Sequence, residues 1–84
     1  MASLDELIDQ FQQAIDQIES AISSVSAAED DAGEMQSQFA GLGAEDKASH
    51  LAAIKDGADS WRTQLQGAVD TGNQLIEQTK AAKG

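Results

Sequence analysis

The sequence predicts an all-α fold: an antiparallel two-helix hairpin, with helices over about 4–40 and 45–82, forming a single domain over 1–84. Three observations predict it. Large apolar residues recur at steps of 3 and 4 along both halves of the chain, a pair of glycines separates the halves, and proline, which would rigidly interrupt a helix, is absent.

The first helix opens well. Ser3 and Glu6 fit the reciprocal N-terminal cap, and Asp5 and Glu6 suit the positive end of the helix dipole. Leu4, Ile8, Phe11, Ile15, Ile18, Ile22 and Val25 then form a strict seam of alternating 4- and 3-steps, the signature of lengthwise packing on another helix. Two successive 3-steps to Ala28 follow, before the seam resumes through Ala32, Met35, Phe39 and Leu42. An extra 3-step is a stammer, which overwinds the helix locally. Serines 20, 23, 24 and 26, with Gly33, weaken helix propensity there. The expectation is one helix with a soft spot near 26–33, a break at that point being the alternative.

Gly41 is the expected left-handed residue that ends the helix, with Gly43 loosening the turn. The second helix starts with Glu45 and Asp46 and closes with Lys80 and Lys83, both arrangements complementing its dipole. Its seam reads Leu51, Ile54, Ala58, Trp61, Leu65, Ala68, Gly72, Leu75, Thr79 and Ala82, without a stammer. Folding about residue 43 sets Phe11 against Leu75, Ile15 against Gly72, Ile18 against Ala68, Ile22 against Leu65 and Val25 against Trp61. The expected hairpin core is therefore Phe11, Ile15, Ile18, Ile22, Val25, Trp61, Leu65 and Leu75, in a rod about 55 Å long at the helical rise per residue.

Composition narrows the function. The formal net charge is −10, and residues 1–44 carry nine acids and no Lys or Arg. Such a polyanion is repelled by nucleic acid phosphates and by anionic lipid headgroups. Cysteine is absent, which removes disulfides and thiolate metal sites. The N-terminus has neither the cationic region nor the apolar stretch of a cleaved leader, and no apolar run approaches the roughly 20 residues of a membrane span. The expected location is the cytoplasm, or outside the cell by a route without a cleaved leader. No nucleic acid, membrane insertion or cofactor is expected.

Few residues suggest chemistry. His50 is the only histidine, and one histidine without cysteine is a poor metal site; it reads as an ordinary surface residue. Glu29, Asp30, Asp31 and Glu34 lack the alternating spacing of a calcium loop and read as a solvated face, or as a surface for a basic partner. No nucleophile has a base at a suggestive spacing, so no catalytic or metal residue is assigned and the chain is expected not to be an enzyme. Trp61 reads as core, with an exposed binding anchor as the alternative.

A second apolar edge points to a partner. Val69 and Ile76 flank the seam of the second helix, and Leu7, Ala14 and Ala21 repeat at spacing 7 beside that of the first. The stripe is wider than one facing helix covers, which implies further helices. Leu7, Ala14, Val69 and Ile76 are the expected partner interface, completing a four-helix bundle with another hairpin or by homodimerisation.

The two long helices, the Gly41-Leu42-Gly43 turn, the chain length and the leaderless acidic start resemble the WXG-type small helical hairpins, the type VII secretion substrates and their accessory proteins. The opening Met1-Ala2-Ser3-Leu4-Asp5-Glu6-Leu7 also resembles short actinobacterial helical proteins of unknown function. The sequence departs from the WXG pattern where that family places Trp-any-Gly in the turn: its one Trp, Trp61, lies in the second helix, and it has no Tyr for the C-terminal export signal. No functional residue carries over. The resemblance implies a hairpin that pairs with a second hairpin, in some cases a toxin's N-terminal helices.

Two functions follow as expectations. One is a non-enzymatic protein–protein interaction module, a type VII secretion-associated partner or targeting subunit for a toxin or other effector. The other is an acidic nucleic-acid mimic that inhibits a DNA-binding protein. Mimicry calls for carboxylates spaced like phosphates along one face, whereas the second helix is nearly neutral.

Overall fold

The computed structural model describes residues 3–84 and consists of two helices, α1 (Leu4–Gly41) and α2 (Glu45–Lys83), packed antiparallel along their whole length. The hairpin expected from the sequence is the fold. Ser3 caps α1 from extended backbone, its hydroxyl accepting from the Glu6 amide at 3.1 Å. At the other end the glycines exchange roles. Gly41 stays helical, and Gly43 takes the left-handed conformation at φ +78°. The Ala44 amide donates to the Phe39 carbonyl and the Gly43 amide to the Ala40 carbonyl, the paired bonds of a Schellman turn. Ala44 leads directly into α2 without a side-chain cap, so Glu45 and Asp46 supply the charge that favours its first turn.

The helices form a rod of 62 × 15 × 15 Å. Its accessible surface is 5842 Å², against about 4,800 Å² for a compact monomer of this mass. The excess is what two helices leave open when no third element covers their seam.

That seam is strict on both helices, and it departs from expectation in two ways. On α1 it runs Ile8, Phe11, Ile15, Ile18, Ile22, Val25, Glu29, Ala32, Gln36 and Phe39, all buried or half-buried. The 3,4 alternation therefore passes through Glu29 and Gln36, the expected stammer does not occur, and α1 is unbroken across 26–33. Ala28, Met35 and Leu42 stand outside the seam, exposed. On α2 the seam is Ala48, Leu51, Lys55, Ala58, Arg62, Leu65, Val69, Gly72, Ile76 and Thr79, of which only Lys55 is exposed.

The expected seam of α2 thus shares one column with the observed one (51, 58, 65, 72, 79) and errs on the other. Ile76, expected at a partner interface, is 6% exposed in the hairpin core, and Val69 joins it half-buried. Trp61, expected in the core, is 56% exposed, and Leu75, fourteen residues further along the helix, is also exposed. Phe11, Ile15, Ile18, Ile22, Val25 and Leu65 lie in the core as expected.

Two cations explain the choice of column. Lys55 and Arg62 can lay apolar stems along a seam while their charged heads reach its margin. Arg62 pairs with Asp59 on its own helix and lies 3.6 Å from Glu29, the acid at the matching place in α1. Lys55 crosses Gly33, where a β-carbon would lie 3.4 Å from its ammonium. At the open half of the rod Ile15 sits against Gly72, as the sequence register anticipates, and a β-carbon on that glycine would lie 2.8 Å from it. An ion pair between Lys83 and Asp5 joins the helices at the open end.

Candidate partner-docking face

Rotating the α2 seam away from Ile54, Trp61 and Leu75 moves them to the outside. They belong to a column that recurs every seventh residue, Ile54, Trp61, Ala68, Leu75 and Ala82, preceded by Lys47. The first helix carries its own such column: Leu7, Ala14, Ala21, Ala28, Met35 and Leu42. Each lies directly beside its seam, because a residue seven along a helix returns to nearly the same angle.

The two columns share one side of the rod. A shallow groove of about 400 Å³ is lined by Ala21, Ser24, Val25, Ala28, Ala58 and Trp61, so both columns and the seam between them open onto the same surface. At three levels of the groove a large residue stands across from an alanine, and at one level two large residues face each other. The antiparallel register sets Leu7 level with Ala82, Ala14 with Leu75, Ala28 with Trp61, and Met35 with Ile54. Ile54 is 58% exposed, and Leu4, Leu7, Met35 and Leu42 are exposed with it. No polar contact requires this exposure; what the side chains share is an apolar surface that water covers at a cost.

Charge is depleted on this side. The next columns outward are Gln10, Gln17, Ser24, Asp31 and Gln38 on α1, and His50, Gly57, Gln64, Thr71 and Gln78 on α2. Together with the two apolar columns they contain two charged residues, Asp31 and Lys47, in a chain with fifteen acids and five cations. The Lys47 ammonium lies 5.4 Å from the centre of the Phe39 ring, a cation–π placement that draws it toward the turn. The opposite side of the seam carries Gln12, Glu19, Ser26 and Gly33 facing Ala52, Asp59, Gln66, Asn73 and Lys80, and is polar. An apolar centre, a polar margin with one acid and most of the charge kept elsewhere is the arrangement of a protein interface.

The residues singled out for chemistry are dispersed. His50 is exposed on the polar margin. Asp30, Asp31 and Glu34 are exposed, whereas Glu29 turns into the seam toward Arg62. Its Oε2 and the Arg62 Nε are buried and, among the described residues, have no hydrogen-bond partner. That pair is held by charge across 3.6 Å without a hydrogen bond. Among the described residues no three His, Cys, Asp or Glu side chains converge to hold a metal ion, and no helix is long and apolar enough to cross a membrane.

Of the interface residues expected from sequence, Leu7 and Ala14 lie on this face and Val69 and Ile76 do not. Ile54, Trp61, Leu75, Met35 and Leu42 are the additions. These residues recur at spacing 7 along each helix, but the sequence pattern placed them on the expected seam. Comparison with protein-family models, with curated proteins and with solved structures yields no match.

Proposed function

We propose that this chain is a non-enzymatic protein–protein interaction module that docks another helical protein on the face formed by Leu7, Met35, Ile54, Trp61 and Leu75. The observation that carries this reading is the coincidence of apolar columns and charge depletion on one side of a strongly acidic rod. A hairpin selected only to be soluble gains nothing from an exposed Trp, Ile and Met aligned over several turns; a docking surface needs them. With α1 and α2 already paired, the shape that best covers the groove is a further helix pair, which completes a four-helix bundle. The family resemblance gives this reading its setting, a type VII secretion-associated partner or targeting subunit for a toxin or other effector.

The test is co-expression with the products of the neighbouring genes, followed by measurement of complex mass. The expected complex survives moderate salt and is lost in Ile54→Asp and Leu75→Asp. A complex indifferent to both substitutions but dissolved by modest salt would refute the docking face and point to the acidic back of the rod, as nucleic-acid mimicry requires.

A further inference from the structure

Both helices change their apolar phase at one level of the rod. In α1 the apolar residues take two successive 3-steps across Val25, from Ile22 to Ala28. In α2 they take two successive 4-steps across Leu65, from Trp61 to Val69. In the register that sets Ala28 level with Trp61, Val25 and Leu65 stand level to within a residue. On the open side of this level the apolar columns and the observed seam coincide. On the turn side they part. There the seam runs through Glu29, Gln36, Lys55 and Arg62, while Met35, Ile54 and Trp61 stand one column outward, exposed.

Adjacent columns of a heptad helix lie about 50° apart. Turning each helix by that angle on the turn side alone brings the outer columns inward. The helices run antiparallel, so they turn like meshed gears. Trp61 then meets Ala28, Ile54 meets Met35, and Ala58 and Ala32 stay between the helices because their column is shared. No charged side chain is left in this half of the seam. Glu29 and Arg62 move to the polar side of the rod.

We propose that the turn half of the hairpin has this second packing, in which it buries its own docking side chains, and that the Glu29–Arg62 pair is the latch that holds it in the observed one. The two arrangements are closely matched. The observed seam buries Glu29 Oε2 and Arg62 Nε 3.6 Å apart, without a hydrogen bond to either among the described residues. Apolar side chains of similar volume are often as stable as such a pair, or more so. Against this, Arg62 also pairs with Asp59, and Lys55 fits the clearance at Gly33. Removing one partner of the pair reverses the balance, because an unpaired charge in the seam costs far more than the pair contributes. Packed elements answer such an imbalance by changing between discrete arrangements. The latch thus sets whether the docking face is presented, and only this purpose rests on the function proposed above.

Trp61, the one tryptophan of the chain, reports the packing. Glu29→Lys puts a third cation into the seam with Lys55 and Arg62, and residue 29 lies off the docking face. At nanomolar concentration acrylamide quenches Trp61 freely in the wild-type chain. In Glu29→Lys the quenching constant falls several-fold and the emission moves to the blue, while far-ultraviolet circular dichroism keeps the full helix signal. Glu29→Leu with Arg62→Leu makes the observed seam apolar and leaves Trp61 as accessible as in wild type. In the co-expression assay Glu29→Lys loses the complex and the double leucine variant keeps it. The latch is overturned by a Glu29→Lys chain whose Trp61 stays accessible or whose helix signal falls, and equally by a wild-type Trp61 already shielded at this dilution. Shielding in Glu29→Lys beside a wild-type chain that forms no complex keeps the latch and removes the docking face alone.

Discussion

Gly72→Ala is the most direct probe of how the two helices meet. In an exposed helix interior the change stabilises, by about 1 kcal/mol, through helix propensity. At residue 72 the new methyl would lie 2.8 Å from Ile15 Cγ1 and 3.0 Å from Cδ1, where carbon atoms settle at about 3.5–4.0 Å. Ile15 cannot easily yield. It is 2% exposed, the most buried apolar residue of the core, and its β-branch restricts it to one favoured rotamer in a helix. Inserting a methyl into such a place costs about 1–3 kcal/mol. The steric term therefore cancels or exceeds the propensity gain, and the net effect runs from neutral to about 2 kcal/mol of destabilisation.

Gly67→Ala in the same helix is the control, because a β-carbon there meets nothing within 4 Å. The difference between the two variants is the steric term alone. At about 4–8 °C per kcal/mol for a domain of this size, their melting temperatures separate by at least about 4 °C. Circular dichroism melts at one protein concentration measure this, with concentration fixed because association shifts the midpoint. A double-mutant cycle completes the test: in an Ile15→Ala background the Gly72→Ala change turns stabilising. If Gly72→Ala melts as high as Gly67→Ala, Ile15 does not rest on Gly72 and the register is wrong.

Three further outcomes follow from the packing. Ile76→Ala lowers stability by about 2–5 kcal/mol, whereas Trp61→Ala in dilute protein leaves the helix content unchanged, as far-ultraviolet circular dichroism would read. Arg62→Ala costs about 1–3 kcal/mol in urea denaturation, less than for a fully buried pair because the guanidinium is partly solvated, and a Glu29→Leu, Arg62→Leu double variant restores the loss. Gly43→Ala, forced to hold φ +78°, costs about 1–2 kcal/mol, whereas Gly41→Ala, which stays helical with nothing near its β-carbon, is neutral or stabilising in the same melts.

The hairpin was legible because the main local signals agreed outside the apparent stammer near 26–33: seam periodicity, caps, the absence of proline and glycines between the segments. Turn chemistry was legible only to within two residues, since either Gly41 or Gly43 can hold a positive φ and only the hydrogen bonds of the finished turn choose. The α2 seam was not legible from hydrophobicity. That helix has a shared column at 51, 58, 65, 72 and 79 with an apolar-looking column on either side. One contains Ile54, Trp61 and Leu75; the other contains Val69 and Ile76 but also Lys55 and Arg62. Counting large apolar residues selects the first. The second wins in the fold because its two cations meet Glu29 and the clearance at Gly33 in α1. The compensation lies between helices, where a pattern read along one helix does not reach. The apparent stammer in α1 has the same origin. Stepping to Ala28 avoided an acid in the seam, and Glu29 belongs there because Arg62 faces it.

This exchange leaves the two halves of the rod unequal. Toward the open end the seam is built from Ile15, Ile22, Val25, Val69 and Ile76. Toward the turn it holds Glu29, Gln36, Lys55 and Arg62 with Ala32, Ala48, Ala58 and the half-buried Phe39 and Leu51, while Met35, Ile54 and Trp61 point outward along that half. The turn half therefore keeps its exposed Met35, Ile54 and Trp61 on the docking face, where in this packing their burial is realised only when something covers them. Local opening free energy follows local apolar burial. In dilute protein the amides of residues 51–62 should exchange with solvent faster than those of 65–79, although both segments belong to one unbroken helix. When the face is covered, protection should rise most over 51–62. Amide hydrogen exchange with residue resolution, at concentrations below and above association, would measure both. Equal protection along α2 in the free chain would mean that the Glu29–Arg62 layer holds the turn half as firmly as isoleucine holds the other, and the dependence of that half on docking would be refuted.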